Sequence, residues 1–139
     1  MFDTIIKAAE NFCIHQIRDK YILNDDFNKD RTLIACIDID AHSGDKHRVY
    51  ISADKAFVQK VSFVFLEEDK SDDETLKDML LETANLIVGS AKVLAEESDK
   101  PYDINTPFFE KDGIFDYDYD MLKTIHMQDN KLSIAIKEL

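Results

Sequence analysis

The segment from Asp73 to Glu97 carries apolar residues at helical spacing along its whole length, and it limits the possible folds more than any other segment. At about 100° per residue, one side of the predicted helix carries Leu76, Leu80, Thr83, Ile87, Ala91 and Leu94, flanked by Met79 and Ser90. A stripe of this kind has to be buried against other elements. We therefore expect a long helix, started by Ser71, Asp72 or Asp73, that packs on the rest of the domain.

The other periodic segments are shorter and fall into two classes. Helical spacing predicts helices over residues 2–19 and 53–67, the second with Ser52 as its cap and with a strand as the alternative. Alternation and turn residues predict strands over 33–40, 47–52, 104–109, 121–127 and 131–137, turns at 42–45 and 111–113, and a loop over 24–31. The sequence therefore predicts one α+β domain over residues 1–139, with helices packed on one face of a mostly antiparallel sheet.

Charge and cysteine content narrow the class of protein. A formal net charge of −12 argues against nucleic acid or an anionic membrane surface as a partner, because both would repel the chain. The chain contains no run of about eighteen apolar residues, so no membrane span is predicted. The start of the chain lacks the basic region of a signal peptide. Cys13 and Cys36 are expected to be reduced packing residues. We therefore expect a cytoplasmic protein.

The sequence contains no recognisable metal site or phosphate-binding loop. The four histidines share no ligand spacing, and the chain has only three glycines. The segment Asp116–Asp120 resembles the first half of a calcium loop, but Met121 and Met127 stand where that loop requires glycine and glutamate. The acidic run Glu67–Glu74 contains no apolar residue and is predicted to be a solvated connection.

The face of the long helix opposite its apolar stripe is the one place where a site is predicted. Asp78, Glu82, Asn85, Gly89 and Lys92 fall on one line there. A glycine in mid-helix costs roughly 1 kcal/mol relative to alanine, and no packing demand explains this one. The face is either a solvated surface that tolerates a glycine or a surface that another molecule approaches closely. A carboxamide orients water but is not a base, so such a face would complete a site on another protein.

These residues carry a resemblance to a known family. The string Asp78-x-x-x-Glu82-x-x-Asn85, followed four residues later by Gly89, resembles the motif of the CheC/CheX/FliY chemotaxis phosphatases. The context is also similar, since Thr106-Pro107 follows the motif and a predicted hairpin ends the chain. One copy of the motif is present, so the chain is most similar to the CheX branch. Ser90 departs from the family, which often has a second asparagine there.

The resemblance implies a function and a division of roles. Members of the family remove the phosphoryl group from an aspartate of a CheY-type response regulator, which itself carries the Mg²⁺, so no cofactor is expected in this chain. Asn85 would orient the attacking water and Glu82 would pair with the regulator's active-site lysine. Asp78, Gly89 and Lys92 would contact the partner. The resemblance also implies a homodimer formed through sheet edges, for which the terminal hairpin and the 104–109 strand are candidates.

The sequence leaves two alternatives to a phosphatase open. The domain could be a non-catalytic binding module that docks on a receiver domain and sequesters it. It could also be a structural subunit of a larger assembly. The phosphatase and the binding module differ in what Asn85 does, since a binder should tolerate its loss.

Overall fold

A single antiparallel sheet, covered on one face by helices, organises residues 1–26 and 28–139, which the computed structural model describes. The helices are α1 (Phe2–Phe12), α2 (Lys55–Leu66) and α3 (Asp73–Glu97), and a π-helical turn (Cys13–Ile17) continues α1. The strands are β1 (Ile22–Asn24), β2 (Arg31–Ala41), β3 (Lys46–Ala53), β4 (Tyr102–Ile104), β5 (Phe108–Ile114), β6 (Met121–His126) and β7 (Lys131–Glu138). The predicted α+β class is therefore confirmed.

The strand order in the described part of the chain is β1-β6-β7-β3-β2-β4, and β5 also pairs with β2. Every one of these pairings is antiparallel. Because side chains alternate between the two faces of a strand, Leu33 and Ile37 of β2 join the core beneath the helices, whereas Ile34 and Cys36 point to the opposite face. The strand is therefore buried on both sides.

The long helix provides most of the cover on the helical face. Buried side chains of α3 include five members of the predicted stripe, namely Leu76, Leu80, Thr83, Ile87 and Ala91. Leu94 is half-buried, and Ser90 is exposed although it was placed at the edge of the stripe. Ala84, Val88 and Ala95 are buried as well. The buried face is thus wider than predicted, because α3 packs against α1, α2 and the sheet together.

The opposite face of the sheet is covered by the aromatic residues that precede β6. Phe115 lies edge-on to Tyr50 at 5.3 Å between ring centroids, and Tyr117 stacks on Tyr50 at 4.8 Å. Both rings pack on the cluster formed by Ile34 and Cys36. The aspartates of the segment Asp116–Asp120 therefore alternate with side chains that cover apolar surface.

Several predicted boundaries were wrong. Helical structure ends at Ile17 rather than at residue 19, and β1 lies partly within the predicted loop. The cap of α2 is Asp54, whose Oδ1 accepts from the Phe57 amide at 2.9 Å, and Ser52 belongs to β3. The strand alternative for residues 53–67 was wrong, because one side of that segment packs at helical spacing on the core.

The predictions around β5 also need correction. Residues 111–113 lie inside β5 instead of forming a turn, because Gly113 pairs with Thr32 of β2 and extends the ladder. The predicted strand 104–109 is divided between β4 and β5, with non-strand residues 105–107 between them. The terminal hairpin is confirmed, but β7 lies between β3 and β6 and therefore offers no sheet edge.

No helix among the described residues is long and apolar enough to cross a membrane.

Candidate functional site

The start of α3 is fixed by its own sequence. Asp72 is the N-cap, and its Oδ1 accepts a hydrogen bond from the Thr75 amide at 2.8 Å. The hydrogen bonds from Thr75 hold the pKa of Asp72 below its usual value. Asp73 and Glu74 occupy the first turn, where negative charge interacts favourably with the helix dipole. The first turn of the helix is therefore stabilised by its own side chains.

The middle of α3 is held from beneath by a buried tyrosine. The hydroxyl of Tyr102, in β4, donates to the Val88 carbonyl at 3.1 Å. Tyr102 is fully buried, and this burial raises the pKa of its hydroxyl far above the usual value, so the group stays a neutral donor. The carbonyl that it binds belongs to the residue before Gly89. Nothing in the sequence pattern pointed to Tyr102, because the contact joins segments that only the fold brings together.

The polar line predicted on α3 is exposed to solvent. Asp78, Glu82 and Asn85 are exposed, and none of their side chains makes a hydrogen bond or ion pair with any other described residue. Exposed polar side chains on helices frequently have nearby partners of opposite charge at i+3 or i+4. Here Glu82 and Asn85 stand one turn apart with their polar groups available to another molecule.

Lys92 differs from the rest of the line because it has partners within the domain. Its Nζ lies 3.8 Å from Oδ1 of Asp103, and Oδ2 of the same carboxylate lies 3.4 Å from Nε2 of His42. The lysine is half-buried. It is therefore directed toward β4 and the β2–β3 turn, at the border of the polar face.

Gly89 faces open space. A Cβ built on this residue would meet no atom within 4 Å, apart from chain neighbours and the backbone of its own helix. The glycine is therefore not required for packing inside the domain, although it weakens the helix by roughly 1 kcal/mol relative to alanine. The low surface that it creates lies one turn beyond Asn85. This geometry suits the close approach of a second molecule.

The chemistry that this surface offers is positioning and hydrogen bonding. Neither thiol of the chain is an available nucleophile, since burial raises the pKa of Cys13 to about 12 and that of Cys36 still further. Among residues 1–26 and 28–139, no group of three His, Cys, Asp or Glu side chains is placed to hold a metal ion. The amide of Asn85 donates and accepts hydrogen bonds, and the carboxylate of Glu82 accepts them.

Comparison with known proteins places the chain in a family. A family model described as chemotaxis phosphatase CheX matches residues 33–120, which include the whole of α3. No curated protein sequence matches the chain.

Solved structures share the fold at low sequence identity. The chemotaxis protein CheX from Vibrio vulnificus matches with a TM-score of 0.85 at 15% identity, covering 99% of this chain and 95% of that one. A CheC-like chemotactic protein from Shewanella oneidensis matches with a TM-score of 0.80 at 13% identity, covering 99% and 96%. A CheX–CheY–BeF₃–Mg²⁺ complex from Borrelia burgdorferi matches with a TM-score of 0.71 at 18% identity, covering 99% and 97%.

Proposed function

The chain belongs to the CheX family of chemotaxis phosphatases, and from this premise we propose that it hydrolyses the aspartyl phosphate of a CheY-type response regulator. The observation that carries the proposal is the exposed pair Glu82 and Asn85, which has no partner among the described residues and lies beside the open surface of Gly89. Such a pair is incomplete by itself. It becomes a site when a receiver domain supplies the phosphoryl group and the Mg²⁺.

Asn85 is proposed as the catalytic residue, with the task of orienting water. Its side chain has a carbonyl oxygen that accepts and an amide nitrogen that donates, so one water is held in a defined orientation. Asparagine takes no proton near neutral pH, and it therefore does not act as a base. In small GTPases a glutamine side chain has the same role toward the attacking water.

The proposed reaction needs no covalent chemistry from this chain. The water oxygen attacks phosphorus from the side opposite the aspartyl oxygen, a new P–O bond forms, and the bond between phosphorus and the aspartyl oxygen breaks. The bonding electrons leave with the receiver's carboxylate, and both protons of the water end on the phosphate, which departs as H₂PO₄⁻. Acceleration then comes from positioning and from charges that the receiver and its Mg²⁺ supply.

The remaining residues of the line are proposed to hold the two proteins in register. Glu82 pairs with the lysine of the receiver's active site and thereby fixes Asn85 relative to phosphorus. Gly89 allows the receiver to approach the helix backbone. Asp78 and Lys92 contact the rim of the interface, where charge pairs contribute little affinity and mainly select the partner.

We also propose a cellular location and an oligomeric state for the protein. We place the protein in the cytoplasm as a homodimer in which strand edges meet, and β5 at the border of the sheet offers such an edge. The measurement that tests this point is sedimentation equilibrium of the purified chain.

The function is tested by multiple turnover. A CheY-type receiver is charged with acetyl phosphate in the presence of Mg²⁺, and release of inorganic phosphate is followed after substoichiometric amounts of the protein are added. A phosphatase releases many equivalents of phosphate per molecule. A binding module that only sequesters the receiver leaves the rate at its intrinsic value or lowers it, and that result would reject the proposal.

A further inference from the structure

One peptide unit of α3 connects the polar line to the buried interior of the domain. Its carbonyl belongs to Val88 and accepts a hydrogen bond from the Tyr102 hydroxyl at 3.1 Å. Its N–H belongs to Gly89, and in an α-helix this N–H donates to the carbonyl four residues earlier, which is the backbone carbonyl of Asn85. Because a peptide unit is planar and rigid, it links the tyrosine hydroxyl to the backbone of Asn85.

This peptide unit lies at the turn of α3 where the helix is least constrained. Glycine has more backbone freedom than other residues, so a helix is loosest around it. A Cβ at Gly89 would meet no atom within 4 Å outside the local helix backbone, so no other element packs against the helix at this point. Support for the turn comes from the opposite side, where Val88 and Tyr102 are both fully buried.

Tyr102 is itself held in place by the sheet. It is the first residue of β4 and pairs with Ala41 of β2. The carbonyl of the preceding residue, Pro101, accepts a hydrogen bond from the His42 amide at 3.2 Å. The tyrosine hydroxyl therefore reaches the helix from a paired strand, which gives the Val88 carbonyl a fixed point of reference.

The hydrogen bond is not needed to satisfy the carbonyl that accepts it. Within the helix the Val88 carbonyl already accepts from the amide of Lys92. A buried tyrosine hydroxyl requires an acceptor, but that requirement would be met by any carbonyl within reach. In this domain the hydroxyl binds the one peptide unit whose N–H donates to Asn85.

We propose that Tyr102 is a positioning residue for Asn85. This inference rests on the proposed function, in which the amide of Asn85 holds the attacking water in line with phosphorus. The hydroxyl fixes the peptide unit before Gly89, and the peptide unit fixes the backbone of Asn85. The domain thereby presents a glycine surface to the receiver without a loose helical turn behind it. Since misplaced water reacts more slowly, Tyr102 contributes to kcat and not to affinity.

Tyr102→Phe tests the inference, because it removes the hydroxyl and keeps the buried ring. The Val88 carbonyl retains its bond from the helix, so no buried acceptor is left unpaired and the variant is expected to fold. In phosphate release from the acetyl-phosphate-charged receiver, kcat should fall about 3- to 10-fold, the range for loss of one neutral hydrogen bond. Kd for the beryllofluoride-loaded receiver should stay at the wild-type value, because Glu82 and the surface at Gly89 are unchanged.

Two further measurements separate positioning from a general structural role. The residual kcat of Asn85→Ala, measured with stoichiometric protein, should not fall further when Tyr102→Phe is added, because the hydroxyl acts through that amide. Hydrogen exchange of the Gly89 amide in the free protein should become faster in Tyr102→Phe, whereas the amide of Leu80 earlier in α3 should keep its wild-type rate. A general loss of stability would instead accelerate both amides together.

Tyr117→Phe is the matched control. It also removes a tyrosine hydroxyl with an internal acceptor, Oε2 of Glu110 at 3.0 Å, but this tyrosine packs on the face of the sheet opposite the helices. Its kcat, its Kd for the loaded receiver and the exchange rate of the Gly89 amide should equal those of the wild type.

Three results would overturn the inference. An unchanged kcat in Tyr102→Phe, with Asn85-dependent turnover in the wild type, would reject the inference and leave the proposed function intact. A further loss of kcat when Tyr102→Phe is added to Asn85→Ala would show that the hydroxyl supports the fold and does not act through Asn85. A wild-type protein that releases no phosphate would reject the proposed function, and this inference with it.

Discussion

Replacement of Gly89 by alanine should stabilise the fold and impair the function at the same time. The added Cβ meets nothing within 4 Å in the isolated domain outside the local helix backbone, so the change removes the helix penalty of glycine without a steric cost. The expected gain is about 1 kcal/mol in the free energy of unfolding. For a domain of this size such a gain raises Tm by roughly 3–5 °C.

The same replacement should weaken docking of the receiver. If the receiver lies against the helix backbone at Gly89, the methyl group occupies space that the partner needs. Overpacking of a close contact costs typically ~1–3 kcal/mol, which corresponds to a KM roughly 5- to 150-fold higher. The assay is steady-state phosphate release from an acetyl-phosphate-charged receiver. Thermal unfolding of the wild-type protein and of Gly89→Ala is followed by circular dichroism.

Gly113→Ala is the matched control for this experiment. A Cβ at Gly113 would meet the Lys111 side chain at 3.6 Å, an ordinary van der Waals contact, and Gly113 lies in β5, away from the polar line of α3. It should leave KM unchanged. A Gly89→Ala variant that is more stable and fully active would contradict this prediction, because the open surface would then have no role in docking.

Other predictions concern the partner contact and the folded state. Glu82→Ala should raise Kd for the beryllofluoride-loaded receiver while the free energy of unfolding stays within about 0.5 kcal/mol of wild type, since this carboxylate has no partner among the described residues; calorimetric titration and urea unfolding measure the two. Asp54→Ala should lower the free energy of unfolding, measured in urea, by about 1–3 kcal/mol. Both carboxylate oxygens of Asp54 accept hydrogen bonds from backbone amides, at 2.9 Å each, and so connect the start of α2 to β7. An unchanged free energy of unfolding would contradict that role. Neither Cys13 nor Cys36 should react with an aromatic disulfide reagent near pH 8 in the folded protein, since burial raises both thiol pKa values, and both should react in denaturant; rapid reaction of the native protein would contradict their burial.

The long helix shows how much a sequence pattern determines. Its bounds were predicted because an apolar stripe, a polar line and a capping aspartate agree over the same residues. The polar line was also predicted, because a glycine in the middle of a predicted helix is visible in the sequence itself. The width of the buried face was not predicted, because Ala84, Val88 and Ala95 are buried by contacts with other elements.

Features that depend on distant segments were missed. Gly113 was expected in a turn, since glycine usually marks one, but pairing with β2 overrides that local preference. Tyr102 had no signal, because its hydrogen bond to the Val88 carbonyl joins two elements that only the fold brings together. Propensity and periodicity describe one element at a time, whereas these features exist only between elements.

The most direct test of the central claim compares turnover and binding in Asn85→Ala. The amide is exposed and has no partner in the described part of the chain, so its removal should leave the fold and the affinity for a beryllofluoride-loaded receiver nearly unchanged. Phosphate release should fall by a factor on the order of 10² or more, as for the loss of other preorganised hydrogen-bonding groups. An Asn85→Ala protein that releases phosphate at the wild-type rate would contradict the account.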